Sequence, residues 1–256
     1  MPLLQSASLP MFEGKFPSLE HLIATVAEVG FDGIEIWNRD ASFAKIVSLA
    51  QKHELKFCSM LATAMGLNRR ELHGQAEKEL RQAIEVAADN NIPGLICFSG
   101  DRHEGSDDIS GIDNVATVLA RVSPFAEEKK ITLLLELLNS KVDHPGYQAD
   151  HTWWGVEVCR KVGSPNVRLL YDIYHMQIME GDVIRSIREN IQWIGHFHTA
   201  GNPGRHEIGS DQELNYGAIC NAIRLAGFSG FIGHEFSPLG DPMASLVEAR
   251  AICAGT

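Results

Sequence analysis

Short apolar runs alternate along the chain with stretches whose apolar residues recur at spacings of three and four. The runs cover residues 3–8, 33–37, 55–60, 94–99, 131–137, 167–172, 193–198 and 230–236, and they read as buried strands. Segments such as SLEHLIATVAEVG, AEKELRQAIEVAADNN and DNVATVLARVSPFAEEKK lie between them, with the periodicity of helices packed on a sheet. Gly30, Gly163 and Gly227 stand where three of these helices stop, as a left-handed C-terminal cap requires. The alternation is that of a parallel α/β fold. A doubly wound sheet would carry a glycine-rich phosphate turn after its first strand, and SLPMFEGKF contains no G-x-G-x-x-G. Eight strand–helix units therefore predict a closed (β/α)₈ TIM barrel. With no linker, low-complexity tract or internal repeat, residues 1–256 are expected to form one domain.

The last four predicted strands end in residues that bind metals: ITLLLE in Glu136, VRLLYD in Asp172, WIGHFH in His198 and FIGHE in Glu235. Side chains alternate faces along a strand, so Glu136 shares a face with Leu134 and Thr132, and Asp172 with Leu170 and Arg168. His198 goes with His196 and Ile194, and Glu235 with Gly233 and Phe231. The opposite face, with Leu133, Leu135, Leu169, Tyr171, Phe197 and Ile232, is apolar and suits packing on helices. If the polar face looks into the barrel, all four end residues meet at the carboxyl end, where barrel enzymes keep their active sites. Three carboxylates gathered there would repel unless a cation neutralised them. Three carboxylates and one imidazole suit Mn²⁺ or Mg²⁺, with Co²⁺ and Zn²⁺ as alternatives. One such divalent ion could hold two oxygens of a hydroxy-carbonyl compound and stabilise an enediolate. Glu136 and Glu235 could then remove and return the proton as the catalytic acid/base pair.

Charge narrows the partners. The 22 Lys and Arg against 33 Asp and Glu leave a net charge of −11, which opposes nucleic acid and anionic membranes. No apolar run is long enough to span a bilayer, and the N-terminus lacks the pattern of a secretory signal. The five scattered cysteines contain no C-x-x-C pair, and Cys58 and Cys97 read as plain strand residues. The expectation is a cytoplasmic enzyme acting on a small molecule; self-association is left open, with Trp153–Trp154 as either interface or core residues.

The segments LLELLN, VDHPGY, VGSPNVRLLYDIYHMQIMEGD, NPGRHEIG and GHEF give the chain a recognisable character. It resembles the hydroxypyruvate isomerase family, within the xylose-isomerase-like (AP endonuclease family 2) TIM barrels, closely in the second half and through FDGIEIW more weakly before it. The resemblance implies that Glu136, Asp172 and Glu235 bind the metal and that both glutamates are catalytic. It also places His175 and Arg205 at substrate-contacting positions, with a weaker claim for His206. Other roles are open: His175 could cap a turn, Arg205 could pair with Glu207, and Glu35 could reach the pocket rim or serve structurally.

Three departures bear on the substrate. The isomerases often carry Gln where this chain has His198, which the ketose 3-epimerases share. A cation often found two residues after the last Glu is replaced by Ser237, and an acid used by the epimerases corresponds to Val142, next to Asp143. The leading expectation is interconversion of the hydroxypyruvate/tartronate semialdehyde type, with ketose 3-epimerisation as the alternative. A repair endonuclease would need further His and acidic ligands and a basic track. A Schiff-base aldolase would need a lysine at a strand's carboxyl end, and Lys56 stands near the start of its run. A non-catalytic sugar-binding barrel would not need the acid/base pair.

Overall fold

A computed structural model of the protein describes residues 2–255. The strands close into a parallel barrel in sequence order, as the alternation predicts. They are β1 (Leu4–Ser8), β2 (Gly33–Ile36), β3 (Lys56–Leu61), β4 (Gly94–Cys97), β5 (Thr132–Leu137), β6 (Val167–Asp172), β7 (Ile194–Thr199) and β8 (Phe231–His234). The helices are α1 (Leu19–Val29), α2 (Phe43–Lys52), α3 (His73–Asp89), α4 (Asp108–Lys129), α5 (Thr152–Val162), α6 (Ile173–Met179), α7 (Val183–Asn190), α8 (Tyr216–Leu225) and α9 (Pro242–Ala254). Strand ends move by a residue or two from the apolar runs, because ladder pairing, not hydropathy, sets them. Trp37 and Glu235 consequently lie just beyond β2 and β8.

Local sequence explains several boundaries. Ser18 accepts from the His21 amide to start α1, and Gly30 ends it at φ 91°. Asp107 and Ser110 exchange side-chain and backbone hydrogen bonds at the head of α4. Gly163 closes α5 at φ 69°. Between β6 and β7, Gly181 and Asp182 both take positive φ and separate α6 from α7.

The chain divides into two compact units. One comprises Met1–Ser59, Val183–Ile191 and Phe197–Thr256, the other Met60–Asp182 and Gln192–His196. In the first, Phe12 meets Phe236 edge to face at 5.4 Å, and Phe31 meets His234 at 5.6 Å. In the second, Ile96, Leu134 and Leu170 form a buried cluster with Leu61 and Phe98 packed against it. Leu134 and Leu170 are on the strand face of Glu136 and Asp172. On the opposite face, α5 approaches so closely that a Cβ at Gly155 would lie 2.7 Å from Leu169 and 2.8 Å from Leu137. The strand parity read from the sequence thus separates lumen from helix-facing positions in this unit.

All five cysteines are buried as free thiols. Burial pushes the thiols of Cys97 and Cys159 up to about 12, so they stay protonated and inert. Among the described residues, no helix is long and apolar enough to cross a membrane.

Candidate active site

Glu136 is buried near the end of β5. The strand end is pinned by Tyr147, whose hydroxyl donates to the Glu136 carbonyl (2.8 Å) and accepts from the Ser99 amide (3.0 Å). Asp172 ends β6 and caps α6, its Oδ1 accepting from the His175 amide at 3.1 Å. A helix therefore starts at the point where the carboxylate is needed, and the cap limits that carboxylate's rotation.

His175 is fully buried beside Asp172. Asn139 Oδ1 accepts from the amides of Val142 and Asp143, each at 2.9 Å, so its Nδ2 faces Asp143 Oδ2 (2.7 Å) and His175 Nδ1 (2.6 Å). With the amide donating to Nδ1, the ring proton belongs on Nε2, which faces Asp172 Oδ2 at 3.7 Å. The residue takes part in the cap through its main chain, while its ring lies against an expected metal ligand. Asp143, one step beyond Val142, belongs to this same network.

On the other unit, Glu235 follows β8 and its carboxylate is held from two sides. Trp37 Nε1 donates to Oε1 at 3.0 Å, and the Arg205 guanidinium donates to Oε2. His198 Nδ1 lies 3.4 Å from the same Oε2. Arg205 adopts φ 58°, and its carbonyl accepts from the Ser237 amide at 2.9 Å. Glu207 instead accepts from the Leu239 and Gly240 amides and the Ser245 hydroxyl. His206 Nδ1 donates to the Ser237 carbonyl at 2.8 Å, which ties the loops after β7 and β8 together.

Glu136, Asp172, His198 and Glu235, all buried, each offer a ligand atom, and those atoms lie within 4.8 Å of one another. The four residues singled out from the strand ends are thus brought together. Three carboxylates and an imidazole at this spacing fit a divalent cation, whose charge offsets the cost of burying them. Residues 23–252 match the family described as the xylose isomerase-like TIM barrel. The chain belongs to that family.

Its relatives include the hydroxypyruvate isomerase of Escherichia coli K12, 28% identical over 91% of this chain and 93% of that protein. The 2-oxo-tetronate isomerase of Cupriavidus necator is 37% identical over 50% of this chain and 48% of its own length. Among solved structures, a protein titled AP endonuclease, family 2, from Brucella melitensis superposes with a TM-score of 0.82 at 27% identity, covering 96% of this chain and 97% of that one. The expectation of an isomerase agrees with the enzymes this xylose isomerase-like barrel resembles along its sequence.

One site residue emerges only from the structure, and another finds its partner there. Trp37 was not singled out, yet it binds Glu235. Glu35, expected at the rim or in a structural role, is buried and reaches His198. Their spacing of two along the end of β2 was the available signal, since it puts both on one strand face. A cavity of about 320 Å³ in the second unit, lined by Ala64, Arg69, Phe98, Leu138, His144 and Tyr147, has room for a small molecule.

Proposed function

We propose that this protein is a metal-dependent isomerase of a small, unphosphorylated 2-oxo acid or hydroxy aldehyde, of the hydroxypyruvate/tartronate semialdehyde type. The observation that carries the reading is the buried set of Glu136, Asp172, His198 and Glu235 within 4.8 Å. The names of the relatives over most of the chain support the substrate class. A divalent cation, Mn²⁺ or Mg²⁺ before Co²⁺ or Zn²⁺, would supply charge stabilisation beside the reacting carbonyl.

The chain's own residues supply the proton chemistry. Glu136 and Glu235 remove a proton from the carbon bearing the hydroxyl and return one to the neighbouring carbonyl carbon, while the hydroxyl proton passes to the carbonyl oxygen, so aldehyde and ketone exchange through an enediolate. Trp37 and Arg205 fix the Glu235 carboxylate, which limits the reorganisation needed for the transfer. Tyr147 holds the main chain at Glu136. The His175 amide holds Asp172 and Asn139 fixes the His175 ring beside it, while Arg205 and His206 stand on the loop that would meet the substrate's polar end. The reading includes a cytoplasmic setting and a small-molecule substrate, with neither nucleic acid nor membrane as partner and with self-association left open.

The test is a panel of hydroxypyruvate, four-carbon 2-oxo acids, and five- and six-carbon ketoses, incubated in D₂O with metal supplied. Isomerised acid carrying deuterium at the exchanged carbon is the expected result. Exchange confined to carbon 3 of a ketose would reassign the protein to 3-epimerisation, and no exchange anywhere would sink the catalytic reading.

A further inference from the structure

Glu35 crosses beneath His198 inside the first unit, and its carboxylate is fully engaged. Oε1 accepts from the Ser6 hydroxyl at 2.5 Å, and Oε2 from the Ser59 hydroxyl at 2.5 Å. Oε2 also lies 3.1 Å from His198 Nε2. Both serines are completely buried and Glu35 is 1% exposed, so the carboxylate depends on these donors. Its path exists because β8 carries no side chain at one place. Gly233 pairs with Ser6 on one side and with His198 on the other. A Cβ there would collide with Glu35 Oε1 and lie 2.9 Å from His198 Cδ2.

We infer that Glu35 is a positioning residue for His198, with Ser6, Ser59 and Gly233 as its cradle. A carboxylate can only accept, so the shared proton sits on His198 Nε2 and Nδ1 presents its lone pair. Nδ1 is the atom beside Glu235. The imidazole is thereby held in the tautomer and orientation a metal ligand needs. This role rests on the metal-dependent activity proposed above. Glu35, His196 and His198 also offer ligand atoms within 4.8 Å of one another. An ion there would have to displace a proton that Glu35 already accepts, so the tautomer role is the one the hydrogen bonds favour.

The experiment uses protein with ¹⁵N-labelled histidine. Two-bond ¹H–¹⁵N correlation on the metal-free chain reads each tautomer, with His198→Gln assigning the resonance. Mn²⁺ titration by calorimetry then reads affinity and stoichiometry. The wild-type ring is expected as the Nε2–H form, with one Mn²⁺ per chain. Glu35→Gln can donate its amide to Nε2, shifting the proton to Nδ1 and weakening Mn²⁺ binding by about 10- to 100-fold. Gly233→Ala displaces Glu35 without altering its charge and is expected to weaken binding likewise; it decides the matter if Glu35→Gln does not fold. The inference is overturned if a folded variant keeps both the Nε2–H form and wild-type affinity. It is equally overturned if wild type binds two ions and Glu35→Gln loses only one. A wild type that takes up no divalent cation defeats the proposed metal dependence, whereas the tautomer in metal-free protein still decides what Glu35 does.

Discussion

Acidification from pH 7 to pH 5 will destabilise the fold through His234, a residue on the outer side of β8. Its ring is completely buried between two fixed partners. Gln5 Nε2 donates to the Arg250 carbonyl (3.2 Å), leaving Gln5 Oε1 to face His234 Nε2 at 3.0 Å, and the Thr199 hydroxyl lies 2.9 Å from Nδ1. The neutral ring satisfies both, donating to Gln5 and accepting from Thr199. A second proton would meet the Thr199 oxygen only after the hydroxyl turned away, in a site without water's solvation. Burial accordingly lowers the value from 6.5 to about 3, with Glu35 opposing the shift. The unfolded chain takes up a proton below 6.5 while the folded chain does not until about 3, so this contribution is complete above 6.5 and is lost as pH falls towards 3. At about 1.4 kcal/mol per pH unit and proton, the step from pH 7 to pH 5 costs about 2 kcal/mol. Urea unfolding of wild type and His234→Gln at both pH values isolates the term, since Gln does not titrate. The variant loses stability at pH 7 but should show a pH dependence smaller by about 2 kcal/mol. Identical pH dependences in the two proteins would refute the reasoning.

Other outcomes follow from the site and the packing. Glu136→Gln and Glu235→Gln should each lower turnover by about 10²–10⁴-fold while circular dichroism stays unchanged; near-normal activity in either removes that residue from proton transfer. Chelation should abolish turnover and added Mn²⁺ or Mg²⁺ restore it, whereas full activity in verified metal-free protein would defeat the metal assignment. Gly155→Ala pushes α5 against Leu137 and Leu169 and should cost about 1–3 kcal/mol in urea unfolding, without any change in Mn²⁺ affinity.

The architecture was legible because it follows from repetition. Apolar runs of strand length, separated by helices with glycine stops, leave few alternatives to a closed barrel once the phosphate-binding turn is absent. The four strand-end residues were legible for a related reason. The period of two along a strand is rigid, so Leu134 and Leu170 in the inner cluster carry Glu136 and Asp172 onto the same face. Boundaries were less secure, as Glu235 beyond β8 shows, because a strand ends where its neighbour stops pairing.

Residue types, order and strand parity therefore determined the barrel, its polar ends and the kind of ion they suit. Only the tertiary structure decided how those ends are held. It turned Arg205 onto Glu235 while Glu207 took backbone amides, tied the His175 ring to Asn139, and ran Glu35 past Gly233 to His198. Glu35 and His198 alone are separated by 163 positions. Local periodicity reports which face a side chain occupies, but hydrogen bonds across a closed barrel depend on register and on the space a neighbouring strand leaves empty, and neither is written in any single segment.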